Sequence, residues 1–268
     1  MEPFVALMRR YCIDYTSVHD QSVCDEIMAE DYTVTIAGRT LQMPDYREAV
    51  TAAFRRYPTL VLTVHEMILS GDRLAMRFSE HGAAADDPEH VAAWPGISLY
   101  RWDGRLLRSC RVEQDFLGRD EQTASGMTAP LAPPHPDPWA TTRDTPADEA
   151  AEQAVRTWLD DLARDPSTSL AGDGVEVLES EPVAEPLLRD AQVTIDDLFS
   201  AGSTVAAAIT LRGAYAGGLP GVDESLVGTE VDLPVTLLAD TADGQLTGVR
   251  LVRDRYGMIR RLRKAQRH

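Results

Sequence analysis

The sequence predicts an α+β protein made of two tandem copies of one domain. The chain has 268 residues, and since domains usually contain about 100–200 residues, that length is enough for two. Each half runs from helical patterns to a long series of strand patterns. The halves also share an internal repeat, in which residues 60–82 align without a gap with residues 191–213.

The elements of the first half follow from periodicity and capping signals. Apolar residues recur with helical spacing over residues 2–17, and Asp20 or Ser22 is placed to cap a second helix that reaches about Met28. Apolar residues alternate with threonine and alanine over 32–37, which predicts a strand. The remaining elements are a helix over 44–54 that begins with proline, and strands near 59–69, 73–82, 91–102 and 105–116.

The internal repeat extends beyond the two aligned blocks. Each block has the pattern of a β-hairpin, a strand followed by a glycine turn and a second strand, and Gly71 falls on Gly202. The second half opens with a helix over 147–164 and then continues with the same strands. Further matches are the Asp-x-x-Gly sequences that start at Asp115 and Asp254, and the Ala-x-Asp sequences that end at Asp31 and Asp173. Their common order favours a duplicated domain.

A proline-rich segment separates the two halves. Six prolines lie between Pro130 and Pro146, a composition typical of a stiff and extended linker. We therefore expect three parts, which are a first domain over 1–118, a linker over 119–147 and a second domain over 148–268.

The charge excludes two classes of partner. The chain has 26 basic and 43 acidic side chains and a formal net charge of −17. Because nucleic acids and anionic membranes attract basic surfaces, we expect neither as a partner. The start lacks a signal-peptide pattern, and the three cysteines are scattered, as in a reducing compartment, so we expect a cytoplasmic protein. The near-exclusive use of arginine over lysine favours a bacterial source.

The order of helices followed by a long strand series resembles the SnoaL-like branch of the nuclear transport factor 2-like superfamily. The residues that carry this resemblance lie in both halves and exclude the linker. They are Ala-Glu-Asp31-Tyr-Thr-Val, the stretches that start at Ser70 and Gly96, Val112-Glu-Gln-Asp115, and Leu251-Val-Arg-Asp254.

The resemblance implies a cone-shaped domain, in which a curved antiparallel sheet wraps around N-terminal helices and leaves a pocket at its open end. Such families include polyketide cyclases, ketosteroid isomerases, epoxide hydrolases, dehydratases and proteins without known catalysis. In similar cyclases an aspartate on the last strand acts as acid and base, a role that would fall on Asp115 and Asp254. The tryptophan common four residues earlier is replaced by Arg111 and Arg250. Single-domain relatives dimerise through their sheets, so the resemblance implies an intramolecular pseudo-dimer and leaves a homodimer open.

Strand alternation places one further acid beside an apolar stripe. On the strand over 73–82, Phe78 and Glu80 share one face, which makes Glu80 a candidate pocket acid or a solvated strand end. On the last strand, Arg111, Glu113 and Asp115 share a face opposite the apolar residues. Alternation alone leaves open which of these two faces lines the pocket, and the resemblance favours Asp115 inward.

Other side chains are weaker candidates. His65 and His81 have the residue type of a general base near neutral pH, although hydrogen-bonded or surface histidines are common. Asp31 begins the first strand, where it either reaches the pocket or forms a turn. Aromatic side chains with the right character to line a pocket for a flat, hydrophobic ligand, or to pack in the core, are Tyr32, Tyr46, Trp94 and Tyr100.

Several signatures are missing from the sequence. It has no nucleophile triad, phosphate loop or dinucleotide motif, and no histidine or carboxylate spacing typical of a metal site, so we expect neither a cofactor nor a metal. In the repeat, His65 aligns with Asp196 and Glu80 with Leu211, so we expect the active pocket in the first half.

Three functions remain open at this point. The first is a cofactor-independent cyclase or isomerase that moves protons in a hydrophobic, polyketide-like carbonyl compound of natural product biosynthesis, with Glu80 or Asp115 as base and Arg111, His65 or a tyrosine near the oxygen. The second is an epoxide hydrolase or dehydratase that uses a water held by Asp115 and Arg111. The third is a non-catalytic binding or scaffolding protein.

Overall fold

A computed structural model describes residues 1–180, 183 and 185–266. The first half forms one six-stranded sheet in the order β2-β1-β6-β5-β4-β3. All neighbouring strands are antiparallel except β1 and β6, which are parallel. Its elements are α1 (Pro3–Arg10), a π-helix (Tyr11–Ser17), a 3-10 turn (Gln21–Val23), α2 (Cys24–Ile27), β1 (Met28–Ile36), β2 (Arg39–Gln42), α3 (Met43–Arg56), β3 (Val61–Ser70), β4 (Arg73–Ala84), β5 (Asp87–Trp102), β6 (Leu107–Gln114) and α4 (Phe116–Ser125).

The second half forms a five-stranded sheet in the order β7-β11-β10-β9-β8. A short helix, α5 (Pro138–Thr141), precedes it in the segment between the halves. The elements of the second half are α6 (Glu149–Arg164), β7 (Val175–Val177), β8 (Leu188–Ala201), β9 (Thr204–Tyr215), a 3-10 turn (Glu224–Leu226), β10 (Glu230–Ala242), β11 (Gln245–Arg253) and α7 (Arg255–Ala265). The predicted α+β class, with N-terminal helices and two sheets, is confirmed. No helix within the described ranges has the length and apolar character needed to cross a bilayer.

The repeat is visible in the backbone of the two sheets. Gly71 and Gly202 occupy equivalent hairpin turns with φ of 56° and 58°, in the left-handed region that glycine adopts without strain. A β-bulge interrupts β3 at His65, and the equivalent bulge interrupts β8 at Asp196. The two sheets therefore share a glycine turn and a β-bulge at positions that the sequence repeat aligns.

The segment predicted as a linker is only partly extended. Its first residues belong to α4, which runs to Ser125 and ends at Gly126 with φ of 71°. Further along, the backbone N–H of His135 donates to the carbonyl of Val64 at 2.9 Å, and that of Thr145 donates to Leu69 at 3.0 Å. The chain after α4 therefore follows the outer edge of β3 and gives that edge hydrogen-bond partners, which an exposed edge strand lacks.

The two sheets pack against each other face to face. Ala75, Ile97 and Leu99 of the first sheet form one buried cluster with side chains of the second sheet, and the hydroxyl of Thr236 donates to the carbonyl of Ile97 at 3.0 Å. The second sheet contributes Phe199, Ala206, Ala208, Leu238 and Val252. Each sheet is thus covered by helices on one face and by the other sheet on the opposite face.

An ion-pair cluster closes one end of this interface. Asp115 caps α4 by accepting from the N–H of Gly118 at 3.1 Å, and it also accepts from Ser180 at 2.8 Å and from Arg255 Nη2 at 2.6 Å. Arg255 Nη1 lies 3.3 Å from Glu179 Oε2. The Asp115 and Arg255 side chains are 1% and 0% exposed. Because both charges are removed from water, each depends on the other for compensation.

We expect Asp115→Asn to lower the free energy of unfolding by about 3–5 kcal/mol, as when one partner of a buried ion pair is removed. Denaturant unfolding monitored by circular dichroism measures this value. Asp31→Asn is the matched control, because Asp31 pairs with Arg108 at 3.0 Å while 72% exposed, and exposed pairs stabilise proteins little. Equal effects of the two substitutions would contradict the structural role of Asp115.

Candidate active site

The first half contains a cavity of about 370 Å³ between α3 and the helix-covered face of its sheet. Small and apolar side chains form most of its wall, as is typical of sites for hydrophobic ligands. Its lining residues from the helices and their connections are Tyr11, Tyr46, Ala49, Val50, Ala52, Ala53, Arg56, Tyr57, Leu60, Phe116 and Arg119. Those from the strands are Val34, Ile36, Leu41, Leu62, Phe78, Glu80, Trp94, Tyr100, Cys110, Val112 and Gln114.

Glu80 is the carboxylate of this wall. Strand alternation on β4 points Phe78 and Glu80 into the cavity, as the sequence predicted for one face of that strand. Burial raises the pKa of Glu80 to about 7, because removal from water penalises the charged form. The charge of Arg119 and hydrogen bonding with Trp94 and Gln114 oppose part of this rise. Glu80 therefore exchanges a proton near neutral pH.

The side chains around Glu80 form one polar end of the cavity. The indole N–H of Trp94 donates to Gln114 Oε1 at 2.7 Å. Arg119, from α4, lies over the ring of Phe116 at 4.6 Å and over that of Trp94 at 5.5 Å, distances typical of cation–π contacts. Its guanidinium also bonds to Asp120 at 2.9 Å. The aromatic rings hold this cation beside the carboxylate.

Tyrosine hydroxyls form a second polar group in the wall. The hydroxyls of Tyr11 and Tyr46 lie 3.1 Å apart, and the ring of Tyr100 packs edge-on against Tyr11 at 5.5 Å. Burial, first of all, raises the pKa of each of these three phenols well above its usual value. They therefore stay protonated and are available as hydrogen-bond donors.

Most of the aromatic residues singled out in the sequence lie along this cavity. Tyr46, Phe78, Trp94 and Tyr100 line the cavity. Tyr32 does not, because its fully buried ring packs in the core against Tyr46 at 5.8 Å.

The expectation that Asp115 points into the pocket is wrong. On β6 and the turn after it, Cys110, Val112, Gln114 and Phe116 face the cavity, so alternation directs Asp115 to the other side of the sheet. There its oxygens are engaged by α4, Ser180 and Arg255. The apolar face of the last strand is the inner one, and the opposite face meets the second half rather than solvent.

Arg111 and Glu113, like Asp115, lie on the face of the first sheet that is turned away from the cavity. Both line a separate crevice of about 210 Å³ between the two halves. Glu113 accepts from the N–H of Ala37 at 3.2 Å, and burial and the nearby Asp254 raise its pKa well above the usual range. Neither side chain reaches the cavity that contains Glu80.

The remaining polar candidates also lie outside the cavity. His65 bonds to Ser79 and Pro133 on the opposite face of the sheet, since the bulge and the strand period turn it there. His81 Nε2 lies 3.1 Å from the hydroxyl of Thr63. Asp31 is exposed beside Arg108.

In the described part of the second half, apolar side chains stand where the first half has this polar end. Asp254 caps α7 through the N–H of Gly257 at 2.7 Å and bonds to Arg261 at 2.9 Å, so it repeats the capping role of Asp115. In the sequence repeat, Leu211 aligns with Glu80. The backbone N–H of Asp115 donates to Pro95, and that of Asp254 donates to Pro234 in the same way. Counting from these equivalent bonds, Leu233 takes the place of Trp94, and Met258 takes the place of Arg119. Leu211, Leu233 and Met258 are buried in the core of that half.

Sequence reasoning missed Gln114, Arg56 and Arg119. The sequence pattern could have identified Gln114, because Gln114 is the polar residue at the end of the apolar face of β6, as Glu80 is on β4. It could not have identified Arg119, since Arg119 fell in the predicted linker. Among the described residues, no group of three or more histidine, cysteine or acidic side chains is placed to hold a metal ion.

Comparisons with known proteins give one family match, which lies in the first half of the chain. Solved structures with similar folds include IdmH from Streptomyces antibioticus, a proposed polyketide cyclase (14% identity, 46% of this chain and 99% of that chain, TM-score 0.42). Another is a proposed polyketide cyclase from Acidithiobacillus ferrooxidans (20% identity, 46% of this chain and 94% of that chain, TM-score 0.41). At these TM-scores, neither likeness carries an argument about this chain. No curated protein matches the chain. Residues 9–109 match the family model of the SnoaL-like domain. The first half of the chain is thus similar to the SnoaL-like domain over those residues.

Proposed function

We propose that the first half is a cofactor-independent acid/base enzyme that moves protons in a hydrophobic carbonyl compound, as a cyclase or an isomerase does. The observation that carries this proposal is the position of the Glu80 carboxylate in an apolar cavity, where burial raises its pKa to about 7. A base of that pKa is half-ionised at neutral pH and matches the task of abstracting a proton from carbon.

The proposed step starts from a C–H group beside a carbonyl. Glu80 takes the proton, and the electron pair moves to the carbonyl oxygen to form an enolate. In the Tyr11–Tyr46 pair one hydroxyl donates to the other, and the second hydroxyl donates its hydrogen bond to that oxygen, as an oxyanion-hole donor does. In an isomerase, Glu80 returns the proton to another carbon. In a cyclase, the enolate carbon bonds to a second carbonyl carbon, whose oxygen receives the proton.

The two sheets also support a proposal for the chain as a whole. We propose that it is a tandem pair of SnoaL-like domains, with borders near 1–118 and 148–268, that forms its sheet-to-sheet dimer within one chain. The first copy keeps the cavity, and the second copy supplies the face against which Asp115 is buried. A role in natural product biosynthesis is part of this proposal, since polyketide-like compounds fit an apolar wall.

A non-catalytic binding role is the second candidate. The observation that favours it is that Glu80 is the sole acid among the lining residues described for the cavity. The hydrolase and dehydratase candidates have less support, because the Asp115 and Arg111 pair that would hold their water lies outside the cavity.

We expect the chain to accelerate exchange of the acidic C–H protons of β-tetralone, a small aromatic ketone, in deuterated buffer. Proton NMR follows the exchange. Glu80→Gln keeps the size of the side chain but removes the base, so the rate falls by about 10²–10⁴-fold. The wild-type rate rises with pH through about 7, because Glu80 accepts protons only above its pKa.

Asp31→Asn is the control, because Asp31 is an exposed acid outside the cavity. Exchange at the wild-type rate in Glu80→Gln would contradict Glu80 as base. Binding of the ketone without accelerated exchange would favour the non-catalytic role.

A further inference from the structure

A second cavity, of about 350 Å³, lies between the two halves on the face of the first sheet that is opposite the helices. Arg77 and Ser79 of β4 form its floor with Ala93 and Pro95 of β5. Residues 129–132, which follow α4, and residues 176–180 of the second half form the other walls. Apart from Arg77, Ser79, Glu176, Glu179 and Ser180, the lining side chains are alanine, proline, leucine and valine.

Ser79 is paired there with a histidine in a fixed tautomer. His65 Nδ1 lies 2.9 Å from the backbone carbonyl of Pro133, and His65 Nε2 lies 2.8 Å from Ser79 Oγ. Because a carbonyl only accepts, Nδ1 carries the hydrogen and Nε2 accepts from the serine hydroxyl. The two residues are 5% and 7% exposed. Burial lowers the pKa of His65, which keeps the imidazole neutral and able to accept a proton.

The second half has a pair of the same geometry but different chemistry at the equivalent positions. At the equivalent bulge in the second half, the hydroxyl of Thr210 donates to Asp196 Oδ2 at 2.7 Å. The bulge therefore sets a hydroxyl beside an acceptor in both copies. The first copy alone has an imidazole there, oriented by the segment that carries Pro133. A hydroxyl, a base and a group that orients the base are the three parts of an activated nucleophile.

We propose that Ser79 is a nucleophile and His65 its general base in a second site that cleaves small esters of hydrophobic acyl groups. Ser79 Oγ bonds to the ester carbonyl carbon while its proton passes to His65 Nε2. The bond to the alcohol oxygen then breaks, and that oxygen takes the proton. Water adds to the acyl-serine with His65 as base, which releases the acid and restores Ser79. Arg77, two residues before Ser79 on the same face, pairs with Glu66 at 3.3 Å through Nε, and its remaining guanidinium N–H groups are the donors proposed for the carbonyl oxygen as it becomes negative.

The test uses diisopropyl fluorophosphate, which forms a phosphorus–oxygen bond with an activated serine and loses fluoride. We expect one adduct per chain by intact mass, mapped by peptide mass spectrometry to the peptide that contains Ser79. The adduct is absent in Ser79→Ala. Its formation slows by about 10²-fold or more in His65→Gln, because glutamine cannot take the proton. Hydrolysis of p-nitrophenyl butyrate falls in parallel with labelling.

Thr210→Val is the matched control, since it removes the equivalent hydroxyl of the other copy and is expected to leave labelling unchanged. Thermal unfolding shows whether each variant is folded, and the mapping on the unsubstituted chain does not depend on any variant. The absence of an adduct, an adduct only at another residue, or equal labelling rates in His65→Gln would each overturn the proposal.

Discussion

The packing of one sheet against the other determines what every strand face in this protein is used for. Small side chains such as Ala75 and Ala206 let the two sheets approach, and Ile97, Leu99 and Leu238 fill the contact. The burial of this apolar surface is favourable because water is excluded from both faces at once. Polar groups on those faces must then find partners inside the protein, which they do through the Asp115–Arg255 and Asp254–Arg261 pairs.

This packing also restricts where a site for a hydrophobic ligand forms within each half. The sheet-to-sheet contact occupies much of one face of each sheet, and the helices cover the other face. In the first half that face encloses Glu80, whose pKa rises because protein replaces its water. In the second half leucine and methionine occupy the equivalent positions and complete a core. Aligned positions thus line a cavity in the first half and form a packed core in the second.

Much of the fold was predictable, because it follows from local patterns. Alternation, glycine turns and the repeat located β3 to β6 and their copies, and alternation on β4 singled out Glu80. The short strand β2 and the π-helix at Tyr11–Ser17 have no comparable local signal. Asp115 was misplaced for a tertiary reason, since a strand pattern shows that two faces differ but not what covers each of them. A face that meets a second sheet buries acids beside arginines 140 residues away in the chain.

The central claim is that Glu80 is an acid/base group that titrates near neutral pH inside an apolar cavity. Carbon-13 NMR of the side-chain carboxyl groups, in protein labelled at glutamate, tests it directly, with Glu80→Gln to assign the resonance. The account predicts a midpoint near pH 7, well above the usual value of 4.5 for glutamate. A midpoint near 4.5 would show that Glu80 is solvated, and would contradict both its burial in the cavity wall and the proposed base.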